Sequence, residues 1–543
     1  MDFLKKKILV TCALPYSNGP IHIGHMLEHI QADIWVRYKR MLGHEVWFIC
    51  ADDTHGTAIM MKSKEYNISS EDYIAKVFEN HKLDFKNFNI SYNNYYYTHS
   101  KENLYFVRKI YYKLKLKNLI SIKNVQQLYD VKENMFLPDR FVQGMCPICY
   151  AKNQYGDTCE ICGSCYKSIE LINPISNISY TKPIVKSSTH IFLNLSILQG
   201  YLYNWICSGV LSDKILNKVK EWFTKDLKSW NISRDLPYFG FLIPDMLDKC
   251  FYVWLDAPIA YISVFKNLCN KNLLLNFGDF WKYNSDTELY HFIGKDIIYF
   301  HSLFWPVLLY GINFRKPNKI FVHGHVTVNG KKLSKSKSNF ITASKWMKFF
   351  DSDSLRYFYA SKLSSSIEDI EMNIQEFICK INSDIVNKVV NLASRSASFL
   401  QKYFNNVLSA KLEDVKLYNF FVTYSKKISN LFEMGDFKLV IVDIIKLSDI
   451  ANQYINDKKP WGFIIKKKNI KLQEICSMGI NLFRIIMVFL KPIVPDLAKR
   501  SEIFLIDKLQ WNSISIPLLN HRINCFKPLY NRINNNVLNN YFK

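Results

Sequence analysis

The stretch Ile8-Leu9-Val10-Thr11-Cys12-Ala13-Leu14, then Pro15-Tyr16-Ser17-Asn18-Gly19-Pro20, then Ile21-His22-Ile23-Gly24-His25, decides the fold. Its first seven residues are apolar or small, too few to cross a bilayer, and Pro15 stops them, so they read as a buried strand. A turn-rich segment follows. From about Ile21 to Leu42 the apolar residues Ile23, Met26, Leu27, Ile30, Ile34, Tyr38 and Met41 recur at helical spacing, and Gly43 ends the run. Glu45–Cys50 is a second short strand. Strand, helix, strand at this spacing is a βαβ unit, which implies a parallel sheet covered by helices.

His22 and His25 fall where the first strand hands over to its helix. That is the crevice in which open α/β sheets bind ligands. Backbone N–H groups at a helix start favour an anion, and two imidazoles add donors. Gly24 leaves room for a flat base or a ribose against the backbone. A histidine pair three residues apart also occurs as an ordinary surface pair, and it is the strand–turn–helix setting that gives this one a ligand.

Further along, the texture changes between about residues 119 and 230, where cysteines, Asn, Pro and Ser crowd together. Strand-like runs resume at Phe251–Leu255, Leu289–Ile293 and Ile320–His323. A nucleotide-binding fold split by an insertion explains this order. After Asp384 the pattern turns helical, over Ile385–Phe404, Leu417–Glu433, Leu439–Ile455 and Leu472–Leu490. The apolar stretch Met478–Pro495 is interrupted by Arg484 and Lys491, so it reads as a core helix and not as a membrane span. The expected fold is α/β, a split Rossmann nucleotide-binding fold with a zinc-bearing insertion and a C-terminal all-α bundle. Its units are 1–118 and 231–325 (the two catalytic halves), 119–230 (the insertion), 326–384 and 385–543.

A second polar constellation is Val326-Thr327-Val328-Asn329-Gly330-Lys331-Lys332-Leu333-Ser334-Lys335-Ser336-Lys337-Ser338. Asn-Gly between apolar flanks signals a tight turn, and the lysines after it can close over a triphosphate. No P-loop pattern occurs, which disfavours that class of NTPase. The third is Cys146-x2-Cys149-x9-Cys159-x2-Cys162, two knuckles whose thiolates suit one structural Zn²⁺ with no open position for catalytic water. Cys165 forms a further C-x-x-C with Cys162 and competes on paper as a ligand.

The composition allows a large core, since 49% of residues are hydrophobic, and this excludes disorder as an overall class. Thirteen cysteines, five of them between Cys146 and Cys165, point to metal in a reducing compartment and not to a disulfide framework. No leader or span is recognisable, so a cytoplasmic protein is expected. The formal charge of +24 suits a polyanionic partner, although Lys-rich composition alone can supply it.

These motifs together resemble the class I aminoacyl-tRNA synthetases. His22-Ile23-Gly24-His25 matches their HIGH signature, and Lys332-Leu333-Ser334-Lys335-Ser336 matches KMSKS with Leu333 in place of Met. Within the class the chain is similar to the methionyl-tRNA synthetase family, through Cys12–Tyr16, Ala51–Gly56, Phe251–Pro258 and Phe292–Ile297. The resemblance implies ATP-dependent ligation of L-methionine to tRNA(Met), initiator and elongator, through a methionyl-adenylate, with Mg²⁺ accompanying the ATP. It assigns catalysis to His22, His25, Lys332 and Lys335. ATP falls to His22, Gly24, His25, Gly294, Asp296, His323, Val326 and Lys335. Methionine falls to Ala13, Leu14, Tyr16, Asp53, Trp254, Ala257, Pro258, Tyr261, Ile297 and His301, with Asp53 pairing the ammonium. Asn391, Arg395 and Trp461 match anticodon-reading positions, and both Trp and Arg suit the stacking of unpaired bases. The resemblance also favours Cys162 over Cys165 as the zinc ligand.

The rivals are a leucine, isoleucine or valine synthetase, whose inserted editing module is much larger, and an inactive synthetase-like tRNA-binding protein, against which intact His22, His25 and Lys335 argue. The given sequence ends in an Asn-rich stretch at Lys543, so the C-terminal dimerisation module of many bacterial members is not expected, and a monomer is.

Overall fold

The computed structural model describes residues 5–156, 159–164, 166–328, 331–332 (backbone only), 341–463 and 470–534. Lys7–Cys12 is a strand, buried from Ile8 onward, and Ile23–Met41 is the helix that the apolar spacing predicts. Glu45–Asp52 completes the βαβ unit, pairing parallel to the first strand with Ile8 opposite Val46.

The central sheet has five parallel strands in the spatial order Lys319–His323, Glu288–Gly294, Lys7–Cys12, Glu45–Asp52, Asn94–Tyr97. The strand order reverses beside Lys7–Cys12. Residues that leave this strand's carboxyl end therefore enter the crevice that such a reversal opens.

One predicted element differs. The run Phe251–Leu255 is not a strand throughout. The strand Met246–Phe251 ends there, and Val253 begins a helix to Lys271 that carries Pro258 within it. A short apolar run cannot be told from the start of a buried helix by periodicity alone. The difference matters because it puts Trp254, Ala257, Pro258 and Tyr261 on one helix beside the sheet.

Between the sheet's halves, an antiparallel pair Ile120–Asp130 and Ile184–Leu193 runs in register from Ile120 opposite Leu193 to Tyr129 opposite Ile184. The strands Val142–Met145, Gln154–Tyr155 and Ile172–Ser176 form a small separate sheet around the cysteine knuckles. Helices Val415–Met434, Phe437–Lys458 and Ile470–Leu490 pack with Asn391–Tyr403. The wider-turned segment Asn382–Val390 leads into the last of these. Ile470–Leu490 is long and apolar enough to cross a membrane, but 94% of its apolar window is buried inside this bundle, so it is a core helix. At Gly479 an added Cβ would lie 2.2 Å from Ser396 Oγ, so only glycine permits this approach of the two helices.

The helix Ile23–Met41 is bolted to the bundle through a buried ion pair. Arg356 Nη2 donates to Asp33 Oδ2 at 2.7 Å and Arg356 Nε donates to the Ile493 carbonyl at 2.8 Å. Burial alone would raise the Asp33 carboxyl, but Arg37 and Arg356 hold it down to about 2. Tyr38 stacks on Phe432 at 4.7 Å, and Lys39 Nζ meets Glu433 at 2.6 Å. The helix that starts on His22 is thereby fixed relative to both the sheet and the helical region.

Candidate active site and metal centre

His22 caps its own helix. The His25 N–H donates to His22 Nδ1 at 3.2 Å, and the His22 N–H donates to His25 Nδ1 at 3.4 Å. The two rings stack with centroids 3.6 Å apart. Because both Nδ1 atoms accept, each neutral ring carries its proton on Nε2, as a donor. The histidines thus add two N–H groups to the anion-favouring start of the helix.

An open cleft of about 270 Å³ lies over this point, lined by His22, Gly24, His25, Gly294, Asp296, His323 and Val326 among others. These are the nucleotide-side residues expected from sequence, apart from Lys335, which lies outside the described residues. Lys332 pairs through its backbone with Thr327, and only that backbone is described. The cleft also contains Glu28, which sequence reasoning missed. Glu28 Oε2 faces His323 Nε2 at 3.4 Å, and His323 Nδ1 donates to the Gly324 carbonyl at 2.7 Å. Burial pushes the Glu28 carboxyl up, with His323 opposing. Glu28 Oε1 is buried without a hydrogen-bond partner, and His323 Nε2 has only the long contact to Glu28, so a ligand with polar edges would be satisfied here. The one local signal for Glu28 was its place three residues after His25 on the same helix face.

Ala13, Leu14 and Ile297 form the seam with a second, narrower cavity of about 40 Å³. Its other walls are Asp53, Trp254, Ala257, Pro258, Tyr261, Phe300 and His301. The fold therefore brings together nine of the ten residues assigned to methionine. The tenth, Tyr16, stands beside the cavity and forms a backbone bridge to Asp53. Gly56 (φ +117°) lies against it, where an added Cβ would be 2.6 Å from the Tyr16 hydroxyl oxygen. Phe300, also missed, stacks on Trp254 at 3.8 Å. Nothing in the local sequence marks this contact, because it joins two helices distant along the chain.

Asp53 is buried, its Oδ1 has no partner, and burial raises its carboxyl well above the ordinary range, with Asp256 and Asp52 adding to the effect. A cation brought to it would satisfy the oxygen and reverse that shift. Opposite it, Tyr261 Oη donates to His301 Nε2 at 2.9 Å while His301 Nδ1 donates to the Ile297 carbonyl at 3.0 Å. Burial holds His301 neutral, its imidazole down at about 4. The cavity thus offers aromatic and aliphatic walls, one carboxylate and one hydroxyl.

At the knuckles the sulfurs of Cys146, Cys149, Cys159 and Cys162 all lie within 4.8 Å of one another. Cys146 to Cys162 is 3.9 Å and Cys149 to Cys159 is 3.5 Å. A tetrahedron with ~2.3 Å metal–sulfur bonds has edges of about 3.8 Å, so the four donors fit Zn²⁺. Backbone N–H groups of Ile148 and Cys149 point at Cys146 Sγ, the support expected around such thiolates. Cys165 lies outside the described residues. In the helical region, Asn391 and Arg395 share one helix face a turn apart. The Arg395 guanidinium lies 5.5 Å from the centre of the half-exposed Trp461 ring, and its Nη2 donates to Asn456.

A parallel sheet with its cleft at the strand reversal, entered by a helix that starts on paired histidines, defines a class I synthetase-type nucleotide site. The family model described as tRNA synthetases class I (M) matches residues 8–397, and the chain belongs to that family. The methionine--tRNA ligase of Buchnera aphidicola subsp. Acyrthosiphon pisum is 60% identical, the match covering 98% of each chain. That of Wigglesworthia glossinidia brevipalpis is 54% identical, again over 98% of each. In fold the chain is similar to Mycobacterium tuberculosis methionyl-tRNA synthetase in complex with methionyl-adenylate. That match has a TM-score of 0.81 at 20% identity and covers 97% of this chain and all of that one.

Proposed function

We propose that this chain ligates L-methionine to tRNA(Met) at the cost of ATP, through a methionyl-adenylate, as a class I aminoacyl-tRNA synthetase. The observation that carries the reading is the joining of two clefts at Ala13, Leu14 and Ile297. One is open and lined by donors. The other is narrower, mostly apolar and supplied with one carboxyl whose Oδ1 has no partner.

Asp53 takes the methionine ammonium, and the side chain lies among Trp254, Phe300, Tyr261 and His301, where a soft thioether gains aromatic contacts. The α-carboxylate then points through the seam toward the α-phosphate of ATP. It attacks, the bond to pyrophosphate breaks, and the Nε2–H donors of His22 and His25 stabilise the charge that builds on the phosphates. Glu28 and His323 hold the nucleoside. A ribose hydroxyl of the terminal adenosine of the tRNA then attacks the acyl carbon, the bond to the phosphate breaks and AMP leaves. Mg²⁺ accompanies ATP, and Lys332 and Lys335 act on the phosphate side. Zinc, held by Cys146, Cys149, Cys159 and Cys162, fixes the knuckle fold and takes no part in a chemical step. Asn391, Arg395 and Trp461 read the anticodon of the tRNA, and the enzyme works in the cytoplasm.

The test is ATP–pyrophosphate exchange measured with each standard amino acid in turn. Exchange that depends on methionine supports the reading. Exchange driven by leucine, isoleucine or valine, or by none, overturns it, the last outcome leaving an inactive tRNA-binding protein.

A further inference from the structure

Beneath the histidine pair lies a group of soft donors that the reaction leaves unused. Cys12 ends the first strand and Cys50 lies on its neighbour. Thr11 is paired with Ile49, so the next step of the register sets Cys12 beside Cys50 on one face of the sheet. His29 reaches the same point from the helix, one turn beyond His25, with its Nδ1 3.1 Å from Cys12 Sγ. The two sulfurs and the imidazole nitrogen lie within 4.8 Å of one another, and all three residues are buried. The Tyr92 hydroxyl touches both Cys12 Sγ, at 3.2 Å, and His29 Nδ1. His29 also lines the open cleft, which gives a small ion a way in.

We propose that Cys12, His29 and Cys50 form a second metal site, for a soft thiophilic cation, and that filling it shuts off adenylate formation. Two thiols, one imidazole and no carboxylate in the group select ions such as Cd²⁺, Cu⁺ or Zn²⁺ over Mg²⁺ or Ca²⁺. Metal–sulfur bonds of ~2.3 Å require sulfurs about 3.8 Å apart, a modest contraction from the present limit. Binding releases the two thiol protons and takes His29 Nδ1 away from the Tyr92 hydroxyl. It also draws in the end of the first strand. Ala13 and Leu14 follow Cys12 directly and wall both clefts, so the ion disturbs the seam across which carboxylate and phosphate must meet. The inhibitory half of the proposal rests on the synthetase reading. The binding half does not.

The experiment starts from the full chain loaded with one zinc and titrates it with Cd²⁺ alone while an indicator follows zinc release. The expected result is uptake of one Cd²⁺ per chain without zinc release and with a new ultraviolet thiolate–metal band. After unbound ion is removed, methionine-dependent exchange should be down at least about tenfold. Cys12→Ser and Cys50→Ser should each abolish the uptake and the inhibition. Cd²⁺ uptake matched one for one by zinc release overturns the site without recourse to any variant. So does uptake that persists unchanged in both serine variants. Uptake without zinc release but with full exchange refutes the inhibitory role alone, and absence of exchange before any Cd²⁺ is added refutes the synthetase reading instead.

Discussion

The two clefts share three wall residues, yet they act by opposite physics. The open one is about 270 Å³, and on the proposed reading it meets a hydrated triphosphate with donors, the histidine Nε2–H groups and the helix start, and the nucleoside with the Glu28 carboxyl and the His323 ring. The narrower one is about 40 Å³ and on the same reading works by exclusion, with a single carboxylate among aromatic rings. In the wet cleft each charge is screened, so no single group dominates ground-state binding. In the dry one a lone charge is worth several kcal/mol, because leaving either partner unpaired costs its full desolvation. Rate should therefore be concentrated on one side of the seam and substrate affinity on the other.

The sharpest way to break that contrast is Asp53→Asn. Removing one partner of a buried pair costs about 3–5 kcal/mol. The KM for methionine should rise by at least about a hundredfold in exchange assays while the KM for ATP stays within about threefold. An equal loss toward both substrates would mean that the two clefts are not separate.

His25→Asn probes the open side. Loss of one donor to developing charge lowers kcat about a hundredfold, and equilibrium binding of methionine, measured by calorimetry, should hold. Weakened methionine binding would show that the histidines shape the narrower cavity as well.

The smallest effect concerns pH. Burial keeps His301 neutral down to about 4 in the folded protein, whereas the unfolded chain protonates it near 6.5. The unfolded state therefore binds more protons between these values. Stability is unaffected above pH 6.5 and falls as the pH drops toward 4, by about 2 kcal/mol at pH 5. In urea titrations, the stability lost on going from pH 7.5 to pH 5 should be about 2 kcal/mol smaller for His301→Gln than for the original chain. An unchanged difference would place His301 in a wetter setting than its walls imply.

Much of this was readable before any coordinates. The helix from Ile23 was legible because its apolar residues repeat at helical spacing and Gly43 closes it, and the knuckles because ligand spacing within a loop is a local property. Nine of the ten residues of the narrower cavity were named in advance through the family resemblance, since each aromatic taken singly reads as core. Trp254 was placed on a strand, because five apolar residues carry no usable period. Phe300 and Glu28 went unnamed. The first is defined by a partner on another helix, and the second is an ordinary helical glutamate until His323 arrives opposite it.

The sequence by itself determined the residue types at the site and the elements that carry them, since hydrogen-bond periodicity and chelate spacing act between residues a few positions apart. Tertiary structure alone decided which distant groups meet. Arg356 against Asp33 holds the histidine-led helix to the helical bundle. Strand register sets Cys12 beside Cys50 with His29 above them. Such meetings depend on how sheet and helices pack in three dimensions, and no local pattern in the chain encodes them.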